Sequence, residues 1–325
     1  MKKSMYAVIA GFLIISFSSC NGNENISEST GGEISPKKIE KLVQKGEPVL
    51  FSGKTITGDI VFTEFLEGDM ESTNIYRTKV SSPITFINCT FKGKISAYSK
   101  DGENTRMTIF DRNVSFISCD FKEEVTFKEV HFRESVNFNN SFFHKTVNFE
   151  GAQFDFKSIY LTRCEFFEEL RFQRAIFSGH VSFLKTKFNG VTSFQNTCFE
   201  GNAQFGAAVF LSYTNFGDIT ALQGIFFNYC EFSEVKATLF SNSEFRGRAE
   251  FLDCKFKQRT DFSNSVFYGI TKFSKSTISG NLIFENTRFI FGKPDTKDIT
   301  QENADCITVA NSVYYTNQPL ELTDF

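Results

Sequence analysis

Residues 116–154 read FISCDFKEEVTFKEVHFRESVNFNNSFFHKTVNFEGAQF, and this stretch decides the fold. Phenylalanine recurs in it at gaps that alternate between five and six residues, a period of eleven; the recurring positions are Phe116, Phe121, Phe127, Phe132, Phe138, Phe143, Phe149 and Phe154. Two residues before each ring after the first stands a small or β-branched residue: Cys119, Val125, Val130, Val136, Ser141, Val147 and Ala152. Self-similarity at a fixed period predicts a repeat architecture.

The spacing excludes a simple helix and a simple strand. A helix places apolar residues at i, i+3, i+4 and i+7, and steps of five and six fit no such face. A flat strand explains the pairs at i−2 and i, because side chains alternate, but not their recurrence. A chain that turns a corner after each short extended piece explains both. One piece buries nothing alone, so the coils must stack into a continuous core.

The pattern continues from Phe166 to Phe216 and again from Phe240 to Phe289, with Ile278 in place of one ring. It slips by one residue between Phe154 and Phe166 and by two between Phe232 and Phe240. Around Ala221 the large residue is missing. We predict bulges or longer corners at these places.

The chain resembles the pentapeptide-repeat proteins, in a variant that repeats F-x-x-[small]-x-F-x-x-x-[small]-x. NAQFGAAVF at 202–210 is close to the family consensus, and the resemblance covers roughly residues 86–289. It implies an all-β fold, a right-handed quadrilateral parallel β-helix with about 22 residues per coil.

The first residues have the features of a bacterial lipoprotein signal. Lys2 and Lys3 precede an apolar run that ends in Phe17-Ser18-Ser19-Cys20, and the run is too short to span a membrane comfortably. By resemblance to the lipobox, Cys20 becomes the lipidated first residue of the mature protein. A plain secretory signal is the alternative. The polar residues 21–35 are predicted to be a flexible tether.

The other segments follow from local signals. Residues 36–48 predict a capping helix, with Ser35 before it, Pro36 in its first turn and Gly46 near its end. We predict a β-solenoid over 49–291, interrupted at 96–110 by a loop or hairpin with a turn at Asp101-Gly102. Residues 292–325 are predicted to be a C-terminal cap or tail.

Composition and motifs favour a non-catalytic protein. Lys+Arg 35 and Asp+Glu 38 become about 33 and 38 without Lys2 and Lys3, which predicts neither nucleic-acid binding nor an acidic DNA mimic. Five cysteines occupy the small position two before a ring and are interpreted as buried small hydrophobes: Cys89, Cys119, Cys164, Cys230 and Cys254. There is no CxxC pair, and no P-loop, GxSxG or HExxH motif, so we predict no metal and no cofactor.

Two sets of polar residues suggest chemistry only weakly. The three histidines, His131, His144 and His180, fall at outward or corner positions and are interpreted as surface residues. The adjacent acids Glu123-Glu124 and Glu168-Glu169 are interpreted as solvated corners, because neighbours on an extended piece point to opposite sides.

A few aromatic residues lie outside the inward columns. Phe142, Phe156, Phe167 and Phe226 are candidates for an interaction surface with a protein or glycan, although packing over corners is an alternative interpretation. We predict a lipid-anchored scaffold of the bacterial cell envelope, an outer-membrane lipoprotein that faces the periplasm or the surface. The alternative is a carbohydrate-active enzyme with a cleft near the 92–110 insertion.

Overall fold

The computed structural model describes residues 31–155, 157–302 and 306–315. Cys20, the predicted signal and most of the predicted tether lie outside these residues, as does Phe156. Within them the chain is a parallel β-solenoid with four faces, and two helices lie at its N-terminal end. The predicted all-β solenoid is confirmed.

Each coil visits the four faces in turn, and we number them in that order. Face 1 has twelve described strands: Glu33–Ile34, Thr55–Ile56, Thr90–Phe91, Asp120–Phe121, Phe142–Phe143, Glu165–Phe166, Lys187–Phe188, Val209–Phe210, Glu231–Phe232, Lys255–Phe256, Thr277–Ile278 and Thr300–Gln301. Face 2 has eleven: Ile60–Val61, Ile95–Ser96, Val125–Thr126, Val147–Asn148, Leu170–Arg171, Thr192–Ser193, Thr214–Asn215, Thr238–Leu239, Thr260–Asp261, Leu282–Ile283 and Ile307–Thr308.

The other two faces complete the coil. Face 3 has thirteen described strands: Asp69–Ser72, Ile75–Val80, Tyr98–Asp101, Asn104–Phe110, His131–Phe132, Gln153–Phe154, Ile176–Phe177, Cys198–Phe199, Thr220–Ala221, Glu244–Phe245, Val266–Phe267, Arg288–Phe289 and Val313–Tyr314. Face 4 has ten: Val49–Ser52, Ile84–Ile87, Val114–Ile117, Val136–Asn137, Ile159–Tyr160, Val181–Ser182, Ala203–Gln204, Ile225–Phe226, Ala249–Glu250 and Thr271–Lys272.

The core is a set of stacked rings. On face 1 the rings of consecutive coils from Phe91 to Phe256 lie 4.6–5.8 Å apart between centroids, with planes within 8° of parallel. Rings of the opposite faces 2 and 4 meet edge to face across the core, as Phe183 and Phe194 do at 5.4 Å. Both arrangements are favourable for aromatic pairs, at about 0.5–1.5 kcal/mol each beyond burial. The repeat therefore buries a continuous aromatic column.

Left-handed residues make the corners that follow faces 2 and 4. The second residue after the ring has φ near +55 to +60°, as in Glu129, Arg174 and Ala207. The amide of the next residue then closes a turn back to the ring residue's carbonyl, as Ala208 does to Phe205 at 2.9 Å. Apart from glycine, asparagine is the residue that tolerates this conformation best. Asparagine occupies many of these corners: Asn88, Asn140, Asn196, Asn242, Asn264, Asn286 and Asn311.

The small inward residues also form hydrogen bonds to the preceding coil. Ser141 Oγ donates to the Phe116 carbonyl at 2.8 Å and accepts from the Cys119 amide at 3.0 Å, so it reaches into the turn of the preceding coil. Cys164 Sγ donates in the same way to the Phe138 carbonyl at 3.0 Å. The cysteines of this column are buried, as predicted, and Cys164, Cys230 and Cys254 also donate to carbonyls of the preceding coil.

The N-terminal end is covered by helix α1 (Pro36–Gln44) and the single turn α2 (Phe62–Phe65). Ile39 and Val43 are buried, which confirms a cap helix, but α1 ends before residue 48 and the Ser35 side chain makes no capping hydrogen bond. Glu33–Ile34 pairs with Thr55–Ile56. The predicted tether at 21–35 is therefore wrong at its C-terminal end, where Glu33–Ile34 is a strand of face 1.

The predicted insertion is an antiparallel hairpin, in which Tyr98–Asp101 pairs with Asn104–Phe110. A second hairpin, Asp69–Ser72 with Ile75–Val80, pairs alongside it. Both register slips lie at corners: Val136 pairs with Ile159, and Thr214 with Thr238. Three faces continue beyond residue 291, through Thr300–Gln301, Ile307–Thr308 and Val313–Tyr314, so the predicted solenoid boundary is too early.

Candidate functional site

The outer surface of face 1 carries two rows of side chains. One row is formed by the residue before each buried ring and the other by the residue after it, because successive side chains point to opposite sides. Strand register places equivalent residues of adjacent coils side by side. The central part of these rows, here called the face-1 cluster, comprises Asp120, Lys122, Phe142, His144, Glu165, Phe167, Lys187 and Asn189.

Two phenylalanines at the centre of the cluster face solvent. Phe142 is 43% exposed and Phe167 is 41% exposed, although most rings of the chain are buried. The Phe167 ring lies parallel to the His144 ring of the preceding coil, at 4.9 Å and 4°. Phe142 pairs across the strands with Glu165. Both rings therefore lie outside the buried columns of the core.

A charged network borders the rings on the N-terminal side. Asp120 lies 2.6 Å from the Lys122 ammonium and 2.8 Å from His144 Nε2. His144 Nε2 is also 3.2 Å from Lys122 Nζ. The Asp120 carboxylate thus holds both side chains, including the imidazole ring on which Phe167 stacks.

A second network borders the rings on the C-terminal side. Glu165 accepts from Lys187 Nζ at 2.9 Å and from Asn189 Nδ2 at 3.1 Å. Desolvation is the largest single influence and raises the pKa of Glu165, but the hydrogen bonds from Lys187 and Asn189 together outweigh it and leave the pKa below its ordinary value. Glu165 therefore stays ionised and bound to its partners at neutral pH.

The face-1 cluster combines exposed aromatic area with paired charges. Its carboxylates and cations hold one another, and its two rings sit on a rigid parallel sheet. Aromatic side chains in such a setting present apolar area at a small entropic cost. The arrangement is typical of a surface that binds a partner.

The structure separates the other predicted surface residues from this cluster. Phe226 is only half-buried and lies on face 4, in the strand Ile225–Phe226. Phe156 and Cys20 lie outside the described residues. Of the three aromatic candidates that the structure describes, Phe142 and Phe167 lie together on face 1 and Phe226 lies on face 4.

Two histidines, His131 and His144, have acidic partners that sequence reasoning missed. His131 Nε2 lies 2.8 Å from Asp155, which is 24 residues further along the chain, and His144 contacts Asp120 of the preceding coil. Each acid stands in the row beside the histidine and one coil away, so no single column contains the pair. Because one coil spans about 22 residues, comparing residues 20–24 apart would have found these pairs.

A groove lies beside the predicted insertion. It runs between the hairpin and the two helices, has a volume of about 820 Å³, and is lined by Glu64, Glu67, Asp101 and Arg106 among others. Thr63 Oγ1 donates to Ser99 Oγ at 3.2 Å across it. It corresponds in position to the cleft that the enzyme alternative predicts.

Among the residues that the structure describes, no group of three or more His, Cys, Asp or Glu side chains is arranged to hold a metal ion. No helix within the same ranges is long and apolar enough to cross a membrane.

Comparison with protein families supports the repeat. A model of pentapeptide repeats matches the chain in nine copies, over residues 108–153 and 251–292. These two segments carry pentapeptide repeats. The first pentapeptide-repeat segment includes Asp120, Phe142 and His144 of the face-1 cluster. No curated protein and no solved structure matches the chain.

Proposed function

We propose that this protein is a non-catalytic, lipid-anchored scaffold of the bacterial cell envelope. The observation that carries the proposal is the aromatic interior. Rings such as Phe183, Phe205 and Phe227 are buried and stacked at 4.7–4.8 Å from coil to coil. A close-packed interior of this kind resists bending and compression, which suits a spacer or a binding platform.

The face-1 cluster is the proposed contact surface. Phe142 and Phe167 supply exposed apolar area, and the bordering ion pairs supply polar contacts at the rim. Specific interfaces have the same division into an apolar centre and a polar rim. The partner is a protein or a glycan of the envelope.

The proposed anchor is Cys20. Its support is the sequence before it, with two lysines, an apolar run and small residues. Lipidation would hold the solenoid at the outer membrane, facing the periplasm or the cell surface. Cys20→Ser should release the protein into the soluble fraction and abolish incorporation of a labelled fatty acid. Unchanged lipid labelling of the variant would contradict the anchor.

Protease treatment of intact cells decides which side of the membrane the protein faces. Cleavage in intact cells indicates surface exposure, and cleavage only after the outer membrane is opened indicates the periplasm. Recovery of the protein from the cytoplasm with its first twenty residues intact would contradict the envelope proposal.

Variants test the contact surface. Phe142→Ser and Phe167→Ser should each reduce crosslinking to the envelope partner, since each removes exposed apolar area from the cluster. Phe291→Ser is the matched control, because Phe291 is 46% exposed but lies far along the chain from the cluster. Equal crosslinking by all three variants would remove the cluster from the proposal.

The groove beside the hairpin favours a second candidate, an envelope carbohydrate-active enzyme. Glu64, Glu67 and Asp101 line it, and glycoside hydrolysis uses paired carboxylates. A screen of purified protein against envelope glycans tests this candidate. Activity that is lost in Glu64→Gln or Asp101→Asn would support the enzyme, and activity that persists in both would exclude the groove.

A further inference from the structure

Two pairs of cysteines are stacked in the inward column of face 1. Thr90 pairs with Asp120 in register, so the residues before them, Cys89 and Cys119, are also neighbours on adjacent coils. Cys230 and Cys254 are placed in the same way, because Glu231 pairs with Lys255. Neighbouring strands lie about 4.8 Å apart, within the Cα separations that disulfides span. Both pairs consist of free, buried thiols.

The two pairs differ in how closely their thiols approach the carbonyls of the preceding coil. Cys230 and Cys254 donate to the carbonyls of Phe205 and Phe227 at 3.0 and 2.9 Å. These thiols are held by the preceding coil.

The sulfur atoms of Cys89 and Cys119 make only long contacts to carbonyls. Cys89 Sγ lies 3.6 Å from the Phe51 carbonyl and 3.4 Å from the Ile87 carbonyl. Cys119 Sγ is 3.5 Å from the carbonyls of Phe86 and Ile117. These thiols are not committed to one acceptor, which leaves them free to interact with each other.

We propose that Cys89 and Cys119 form a dithiol site that reacts with a small-molecule disulfide, such as oxidised glutathione. The product is a disulfide between Cys89 and Cys119, which links the coil of Thr90–Phe91 to the coil of Asp120–Phe121. The equally stacked pair Cys230 and Cys254 stays reduced under the same conditions.

The pKa values of the thiols indicate which cysteine reacts first with the small-molecule disulfide. A hydrogen bond with the Cys119 thiol is the largest influence on Cys89 and lowers its pKa to about 7, with help from backbone amides. The same contact and burial raise the pKa of Cys119. Burial raises the pKa of Cys230 well above its ordinary value. Since the thiolate is the nucleophile, Cys89 attacks first.

The reaction is a pair of thiol–disulfide exchanges. The Cys89 thiolate attacks one sulfur of oxidised glutathione, the S–S bond of glutathione breaks, and one glutathione thiolate leaves. Cys119 then loses its proton to solvent and attacks Cys89 Sγ of the mixed disulfide, which expels the second glutathione. One protein disulfide forms and one small disulfide is reduced to two thiols.

Both cysteine pairs lie near an end of face 1, so opening of that end is the route by which solvent reaches the buried thiols. On face 1 only Glu33–Ile34 and Thr55–Ile56 lie beyond the strand that follows Cys89. Stacked repeats open from their ends, since a terminal coil has one neighbour. Cys254 lies equally near the other described end, with Thr277–Ile278 and Thr300–Gln301 beyond its strand, so the carbonyl contacts of the thiols, and not their position, distinguish the two pairs.

The test uses the full chain, first reduced with dithiothreitol and then incubated with oxidised glutathione without denaturant. Remaining thiols are alkylated and the peptides are mapped. We expect a crosslink between Cys89 and Cys119, at least about tenfold more than between Cys230 and Cys254. Equal crosslinking of the two pairs, or none in the folded protein, would overturn the proposal.

Substitutions separate the two steps. Cys119→Ser should leave a glutathione adduct on Cys89, whereas Cys254→Ser should not change the crosslink at Cys89 and Cys119. Serine fits this column, since Ser141 and Ser276 occupy it. If Cys119→Ser does not fold, alkylation rates of the wild type test the same claim: Cys89 must react faster than Cys230. Failure to form an adduct in a folded Cys119→Ser protein would overturn the proposal.

Discussion

Ile219 and Ala221 reverse the order of the repeat on face 3. Both are buried, but the large side chain stands at the small position and the small one stands where a ring is expected. Ala221 pairs in register with Phe199 on one side and Phe245 on the other, so the ring column of face 3 is interrupted there. Ile219 supplies the missing volume, and the core stays close-packed.

This exchange of volume predicts strong coupling between the two positions. Ala221→Phe should destabilise the fold by about 1–3 kcal/mol through overpacking, and Ile219→Ala by about 2–5 kcal/mol through a cavity. The double variant should be clearly more stable than the sum of the two effects. Urea denaturation of the four proteins measures the coupling. Strict additivity would show that the two side chains do not share one space.

A charge in the ring column should unfold the protein. Phe183→Asp places a carboxylate between rings such as Phe205, 4.8 Å away, where it has no partner. Leu184→Asp is the matched control, because Leu184 is the next residue and is 38% exposed. We expect an insoluble or unfolded Phe183→Asp protein and a folded Leu184→Asp protein by circular dichroism. A soluble, fully folded Phe183→Asp protein would contradict the inward assignment.

Relief of left-handed strain should stabilise the corners. Ala207 has φ +56°, which costs an L-residue about 1–2 kcal/mol, whereas asparagine adopts it readily. Ala207→Asn should therefore raise the free energy of unfolding by about 0.5–1 kcal/mol. Ala203→Asn, in a buried strand position, is the control and should destabilise. A lower free energy of unfolding for Ala207→Asn than for the wild type would contradict backbone strain at Ala207.

Much of the architecture can be predicted from the spacing of phenylalanine, because ring volume and strand alternation leave little choice of core. The left-handed corners were missed, although Asn140 and Asn196 repeat in register with the rings. The acidic partners of His131, His144 and Lys187 were missed because these pairs join residues about one coil apart. Exposure of Phe142 and Phe167 was predictable from their positions outside the columns. Their contacts with Glu165 and His144 depend on strand register, which the sequence does not state directly.

Acid should selectively weaken face 2 at Asp261. Burial is the largest influence and raises the pKa of this carboxyl, but hydrogen bonds from Ser263 and from Arg259, at 2.6–2.9 Å, outweigh it and hold the pKa below its ordinary value. A lowered pKa means that the stabilisation is fully present above about pH 4 and is lost as the pH falls through the folded-state value. Asp261→Asn should therefore cost stability at pH 7 and progressively less below pH 4. A stability difference that is constant from pH 7 to pH 2, measured by urea denaturation, would contradict this.

Distances between spin labels on face 1 test the stacked solenoid most directly. Labels at Thr90 and Lys187, and at Lys187 and Thr277, are each separated by four coil steps in the strand order. With about 4.8 Å per step, each pair should lie roughly 19 Å apart and the outer pair roughly 38 Å apart. Two equal shorter distances, Thr90 to Lys187 and Lys187 to Thr277, that add up to the distance from Thr90 to Thr277 would support the solenoid. Outer distances that do not grow with the number of coils would contradict it.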